Sequence, residues 1–197
     1  TDLYSTSAAW FGAGPNRVLK NKGGQGFESV TECGDAPLPM QNSVGASALD
    51  YDRDGLVDLV VSGSKGGTVR LLRNKGNFVF EETTEQAGLK AKWFPSVHLT
   101  TGDVNDDGYT DIFVSVIGSN QLYINQKDGT FKEEGMARGV SQGSPVGFGT
   151  YMFDADLDGD MDILCGTFGM DSAKFMGGFG DFPVDSFSKP VEHRAAM

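Results

Sequence analysis

A nine-residue pattern with side-chain oxygens at alternate positions occurs three times in this chain, and it restricts the possible structures more than any other feature. The copies are Asp50-Tyr51-Asp52-Arg53-Asp54-Gly55-Leu56-Val57-Asp58, Asp103-Val104-Asn105-Asp106-Asp107-Gly108-Tyr109-Thr110-Asp111 and Asp154-Ala155-Asp156-Leu157-Asp158-Gly159-Asp160-Met161-Asp162. Positions 1, 3, 5 and 9 carry Asp or Asn each time, and position 6 is Gly. Calcium is a hard cation that takes six to eight oxygens at about 2.3–2.6 Å, and alternate residues of a tight loop can turn theirs inward. Gly at position 6 permits a reversal that a Cβ resists. One copy alone would read as well as a run of solvated turn residues. Three copies in register point to metal loops.

The expected ligands of the first loop are Asp50, Asp52, Asp54 and Asp58. Those of the second are Asp103, Asn105, Asp107 and Asp111, and those of the third Asp154, Asp156, Asp158 and Asp162. Position 7 (Leu56, Tyr109, Asp160) would add a backbone carbonyl, while the side chains of Asp106 and Asp160 point away. One Ca2+ per loop makes about three sites. The neutral Asn105 makes the second loop the weakest if geometry is equal.

The flanking residues exclude an EF-hand, which needs a Glu at position 12 and a helix on either side. Position 12 here is Val61, Val114 or Cys165. Leu59-Val60-Val61, Ile112-Phe113-Val114 and Ile163-Leu164-Cys165 follow the loops and read as buried strands. Before the loops, residues 44–49, 97–101 and 146–153 mix small and large apolar residues without helical period. Each loop therefore joins two strands.

The repeat extends further. An Asn followed six residues later by Phe precedes each loop, as Asn21 and Phe27, Asn74 and Phe80, Asn125 and Phe131. Each Phe lies 23 residues before the first Asp of its loop, and the loops recur after 53 and then 51 residues. Residues 69–74 and 121–125 read as strands, followed by Gly-bearing turns and a further strand opening near Phe80 or Phe131. Four strands per period is the content of a β-propeller blade.

The stretch Gly102–Val114 resembles the FG-GAP repeat of integrin α-subunit propellers and is similar to the VCBS-type repeats of secreted proteins. Leu122–Phe131 resembles the segment before the loop in cartilage acidic protein and ASPIC/UnbV relatives. The resemblance covers about residues 16 to 167. It implies an all-β, calcium-stabilised propeller of four-stranded antiparallel blades, used for recognition or scaffolding. The Gly-Ala-Pro that follows the loop in integrins is replaced by Val61-Ser62-Gly63, Val114-Ser115-Val116 and Cys165-Gly166-Thr167, which favours the VCBS-like branch.

About four blades are visible, with approximate bounds 1–35, 36–88, 89–139 and 140–186, inside a repeat array of residues 1–168. Asp2-Leu3-Tyr4-Ser5 can be laid over Asp58-Leu59-Val60-Val61, so the first blade starts part-way. Residues 169–197 read as degenerate last-blade strands and an extended tail, with Ala173–Met176 in the outer-strand position. About four blades are fewer than the resemblance implies for a ring, which leaves three expectations: an incomplete ring that is a slice of a longer propeller, an unusually small closed ring, or an arc completed by a partner.

Charge and composition narrow the function. The net charge is −11, yet 13 of the 27 acidic residues lie in the loops, and three Ca2+ would bring the total near −5. An acidic surface argues against nucleic acid, whose phosphates need a basic one. No stretch is long and apolar enough to be a transmembrane helix. Cys33 and Cys165 are too few for a disulfide framework and are expected unpaired. There is no Asn-x-Ser/Thr sequon, no Gly-x-Ser-x-Gly elbow and no phosphate-binding loop. His98 is expected to be a structural hydrogen-bonding group of an inner strand, and His193 a solvated residue of the tail. Trp10, Trp93 and the 14 Phe suit blade packing, and Lys20-Asn21-Lys22 and Arg73-Asn74-Lys75 read as solvated basic turns.

The resulting expectation is a non-enzymatic calcium-binding repeat module that acts in protein–protein contact or as a structural scaffold, as a subunit of a larger assembly. The alternatives are an ancillary propeller domain of a secreted enzyme (polysaccharide lyase or phospholipase type) and a carbohydrate-binding module. Calcium loops suit a calcium-rich compartment: extracellular, periplasmic or an organelle lumen.

Overall fold

The computed structural model describes residues 3–5, 16–30, 33, 43–63, 69–89, 96–141 and 147–167. The apolar runs beside the loops become antiparallel strands, and the described residues contain no helix. The first sheet holds β1 (Leu3–Ser5), β2 (Arg17–Asn21) and β3 (Phe27–Val30). The second holds β4 (Ser43–Leu49), β5 (Asp58–Gly63), β6 (Arg70–Asn74) and β7 (Phe80–Glu82). The third repeats it with β8 (Ser96–Gly102), β9 (Asp111–Val116), β10 (Gln121–Asn125) and β11 (Phe131–Glu133). The last described sheet pairs β12 (Gly147–Phe153) with β13 (Asp162–Thr167). Within every sheet the strands follow in chain order, so each is a meander, and among the described residues the series is not closed into a ring.

The spacing of the Asn and Phe has a geometric cause. Asn21 faces Phe27, Asn74 faces Phe80 and Asn125 faces Phe131 across the hairpin that joins the outer two strands. The overlay of Leu3 on Leu59 also matches the pairing, since Leu3 faces Leu19 as Leu59 faces Leu72. Asp2 lies outside the described residues, as do Val146, Trp10, Trp93, His193 and the whole segment 168–197 with its expected last strands and tail.

Successive side chains of a strand point to opposite faces, and here both faces are used. On β5 and β6, Val60 and Leu71 enter a core shared with Ile112, Val114 and Tyr123 of the third sheet. Their neighbours Val61 and Leu72 pack on Val18, Cys33 and Val30 of the first-sheet side. On β9 and β10, Phe113, Leu122 and Ile124 turn the other way, onto Met152, Ile163 and Cys165 of the last sheet. Among the described residues the core therefore forms three layers, each between consecutive sheets, as stacked blades require.

Small residues on the inner strands let the blades approach. A Cβ on Gly102 would stand 2.9 Å from Met152 Sδ, and one on Gly147 would collide with Ser115 Oγ. Polar bonds seal the same seam. Ser47 Oγ and Thr101 Oγ1 are 2.9 Å apart, and the Ser96 hydroxyl donates to Gly63 O while accepting from Gly63 N. His98 Nδ1 accepts from Thr150 N at 3.2 Å and lies 3.0 Å from Thr150 Oγ1, which is the structural role expected for an inner-strand imidazole. Cys33 and Cys165 are unpaired thiols.

Candidate metal centres

Each nine-residue loop connects the innermost strand of a sheet to the next one: β4 to β5, β8 to β9 and β12 to β13. Its last Asp is the first residue of the following strand. The three loops share one hydrogen-bond scaffold. The first Asp accepts from the amides at positions 5 and 6: Asp50 from Asp54 and Gly55, Asp103 from Asp107 and Gly108, Asp154 from Asp158 and Gly159. The Asp at position 5 accepts from the amide at position 7, as Asp54 from Leu56, Asp107 from Tyr109 and Asp158 from Asp160. The last Asp accepts from the amide at position 2: Asp58 from Tyr51, Asp111 from Val104 and Asp162 from Ala155.

Two residues per loop carry the reversal. Gly55, Gly108 and Gly159 have φ of 85°, 83° and 100°, the left-handed region in which a Cβ is strained. Position 4 is left-handed too, at 57° for Arg53, 53° for Asp106 and 65° for Leu157. Sequence reasoning missed that second left-handed residue, because Arg, Asp and Leu share no chemistry that signals it.

The repeat Asn closes the loop from the neighbouring strand. The backbone N–H of Asn74 donates to Asp58 Oδ1 at 2.7 Å, and that of Asn125 to Asp111 Oδ1 at 2.8 Å. Their side-chain amides donate to the carbonyls of Val57 and Thr110, one residue before those aspartates. Asn125 Nδ2 also reaches Tyr51 O of the preceding loop at 2.9 Å, tying the first two loops together. Arg53 of the first loop lies over the Tyr109 ring of the second, 4.8 Å from its centroid.

Asp50, Asp52 and Asp58 bring one oxygen each within 4.8 Å of one another, and Asp154, Asp156 and Asp162 do the same. Asp54 and Asp158 stand outside those groups. In the second loop Asn105 Nδ2 donates to Asp107 Oδ2 at 3.0 Å, and among the described residues no acidic triad forms there. Asp106 and Asp160 are exposed. The donor set is all oxygen, without His or Cys, which suits a hard cation over zinc.

The electrostatics also favour a cation. Asp58 and Asp111 are fully buried. Burial raises the Asp58 pKa to about 6 against the pull of the Asn74 and Tyr51 amides, and Asp52 and Asp54 add repulsion. Burial raises Asp111 likewise. In the first loop a side chain of the protein already supplies positive charge: Arg73 Nη2 lies 2.6 Å from Asp52 Oδ2 and 3.1 Å from Asp54 Oδ2. Arg73, expected as a solvated basic turn, is instead a partly buried counter-ion. Its Nε is buried and has no hydrogen-bond partner. The only sequence signal was its place before the repeat Asn, where the third blade has Ile124. In the second loop Lys127 Nζ lies 3.3 Å from Asp107 Oδ2.

Fold and loops together define a class: propeller-type blades, three of the four described sheets carrying an acidic loop between their first two strands. The family model for the FG-GAP-like repeat matches residues 50–114 and 103–165, together more than half of the chain, and the chain belongs to that family. No curated protein matches it. Among the described residues no helix is long and apolar enough to cross a membrane.

Proposed function

We propose that the chain is a non-enzymatic, calcium-stabilised propeller module that presents a fixed surface for protein–protein contact or serves as a structural subunit of a larger assembly. The observation that carries this reading is the loop scaffold built three times over, with carboxylates converging in the first and third loops. A guanidinium standing against two carboxylates of the first loop agrees with a site that needs positive charge.

The residues that would hold calcium are Asp50, Asp52, Asp54 and Asp58, with their counterparts in the other loops. Bound calcium would supply the positive charge that offsets crowded carboxylates. The chain does the rest: the amides at positions 5, 6 and 7 orient the aspartates, and Asn74 and Asn125 lock the loop ends to the outer strands. Rigid loops then hold the blade edges and connecting turns in one arrangement, which lowers the entropy cost of binding a partner. Sites of this type suit a calcium-rich compartment: extracellular, periplasmic or lumenal.

The test is thermal unfolding in calcium and in EGTA. With Kd of about 0.1 mM and free calcium of about 1 mM, each site contributes about 1.4 kcal/mol. Three independent sites contribute about 4 kcal/mol, or roughly 10 °C in a chain of this size. Identical melts in the two buffers would sink the reading.

A further inference from the structure

Loops one and three carry the same four aspartates at positions 1, 3, 5 and 9 but differ in the cations around them. The first has Arg73, projecting from β6 onto Asp52 Oδ2 and Asp54 Oδ2. Among the described residues, no ion pair reaches the third loop. We propose that Arg73 is a built-in counter-cation: it holds the first loop together when no metal is bound, must yield when calcium enters, and so sets the calcium affinity of this loop below that of the third. This rests on the calcium reading above.

Three observations support it. The guanidinium touches positions 3 and 5, two of the carboxylates a metal would need, so both cations cannot be satisfied in the same way. Its seat is imperfect, because Nε is buried without a partner, as expected of an occupant that can be displaced. Space to move is also available. Arg73 and Asp52 line a cavity of about 490 Å3 that also contains Glu81, the residue facing Arg73 across the β6–β7 pair. A guanidinium released from Asp52 and Asp54 can turn toward Glu81, sharing that carboxylate with Lys75 Nζ, which lies 3.6 Å from it.

The effect has one sign. A unit charge roughly 6 Å from a divalent ion weakens its binding about tenfold even at the dielectric constant of water. Arg73 also relieves carboxylate repulsion in the ion-free loop, which lowers the gain from calcium further.

Hydrogen-exchange mass spectrometry of the whole chain, titrated with free calcium, reads each loop through its own peptide. In the wild type the first loop should become protected at about tenfold higher calcium than the third. Arg73→Gln should bring that midpoint down about tenfold, leave the third loop unchanged, and speed exchange of the first loop in EGTA. Arg73→Lys should stay near wild type. A first loop that fills together with the third in the wild type would overturn the inference. So would an Arg73→Gln midpoint that is unmoved, or one moved to higher calcium. The wild-type comparison stands even if Arg73→Gln fails to fold. Loops that respond to no calcium concentration in any variant would instead remove the calcium reading, and this inference with it.

Discussion

Asn74 and Asn125 occupy the same place in the repeat, yet the structure predicts that their loss has unequal cost. Both hold a turn through Oδ1, which accepts from Gly76 N at 2.8 Å and from Lys127 N at 2.9 Å. Both also donate to the carbonyl before the last loop aspartate. Only Asn125 is 2% exposed and bonds a second blade, through Tyr51 O. Tyr51 is itself buried, with its ring 6.1 Å from that of Phe131. Asn125→Ala would strand the buried Tyr51 carbonyl and leave Thr110 O and Lys127 N short of a partner, at about 1–3 kcal/mol for a buried group and less where water can enter. The expected total is about 3 kcal/mol, or roughly 10 °C at about 2–4 °C per kcal/mol for a chain of this length. Asn74→Ala exposes its former partners to water and should cost about 1 kcal/mol, near 3 °C. Melting by circular dichroism in saturating calcium measures both. Equal shifts, or a larger one for Asn74→Ala, would refute the claim that this amide couples two blades.

In EGTA, Asp58→Ala should destabilise by about 2–4 kcal/mol, because the buried Tyr51 amide and the partly buried Asn74 amide lose their acceptor; Asp54→Ala, which leaves Arg73 only Asp52, should lower the ion-free melt by less, and both should lose one calcium by calorimetry. Phe113→Ala should cost about 3–5 kcal/mol in chemical denaturation, since its ring is buried between the third and fourth blades. Leu164→Ala, at the same repeat position but 54% exposed, should stay within about 1 kcal/mol. Tyr151 and Leu164 face each other on that open side of the last described sheet, so a Tyr151→Ser, Leu164→Ser double variant should reduce self-association in light scattering. Burial lowers the His98 pKa below its usual value, so the unfolded chain binds a proton first on acidification. The His98 contribution should therefore hold above about pH 6.5 and be lost below it, while Asp58 and Asp111, raised by burial, act in the opposite direction, so the melting temperature of His98→Gln relative to the wild type should rise as pH falls through that range.

The sequence carries most of the fold and less of the site. Periodicity works where a residue does one job in every blade. The Asn and Phe recur because they face each other across the outer hairpin, and the loop aspartates recur because the same amides orient them. Strand ends follow from the same pattern, and Gln121–Asn125 has the bounds expected. What the sequence hides are contacts made by one blade only. Arg73 meets Asp52 and Asp54 across a strand pair, and apart from its place before the repeat Asn nothing in Arg73-Asn74-Lys75 distinguishes it from a solvated turn. The bond from Asn125 to Tyr51 joins residues 74 apart in the chain. The equal-geometry premise behind a weak second loop does not hold either. Asn105 and Lys127 both turn toward Asp107, while Arg73 occupies the first loop, so the loops differ in more than one charge. Asp58 and Asp111 read as ligands alone, yet they also anchor the strands, each accepting two backbone amides.

The central claim, that these loops are calcium sites, is tested most directly by counting ions. Native mass spectrometry of the chain equilibrated with about 1 mM calcium should resolve species with up to three bound Ca2+. The count should fall by one in each of Asp50→Ala, Asp103→Ala and Asp154→Ala. A chain that carries no calcium, or variants that keep the wild-type count, would contradict the account.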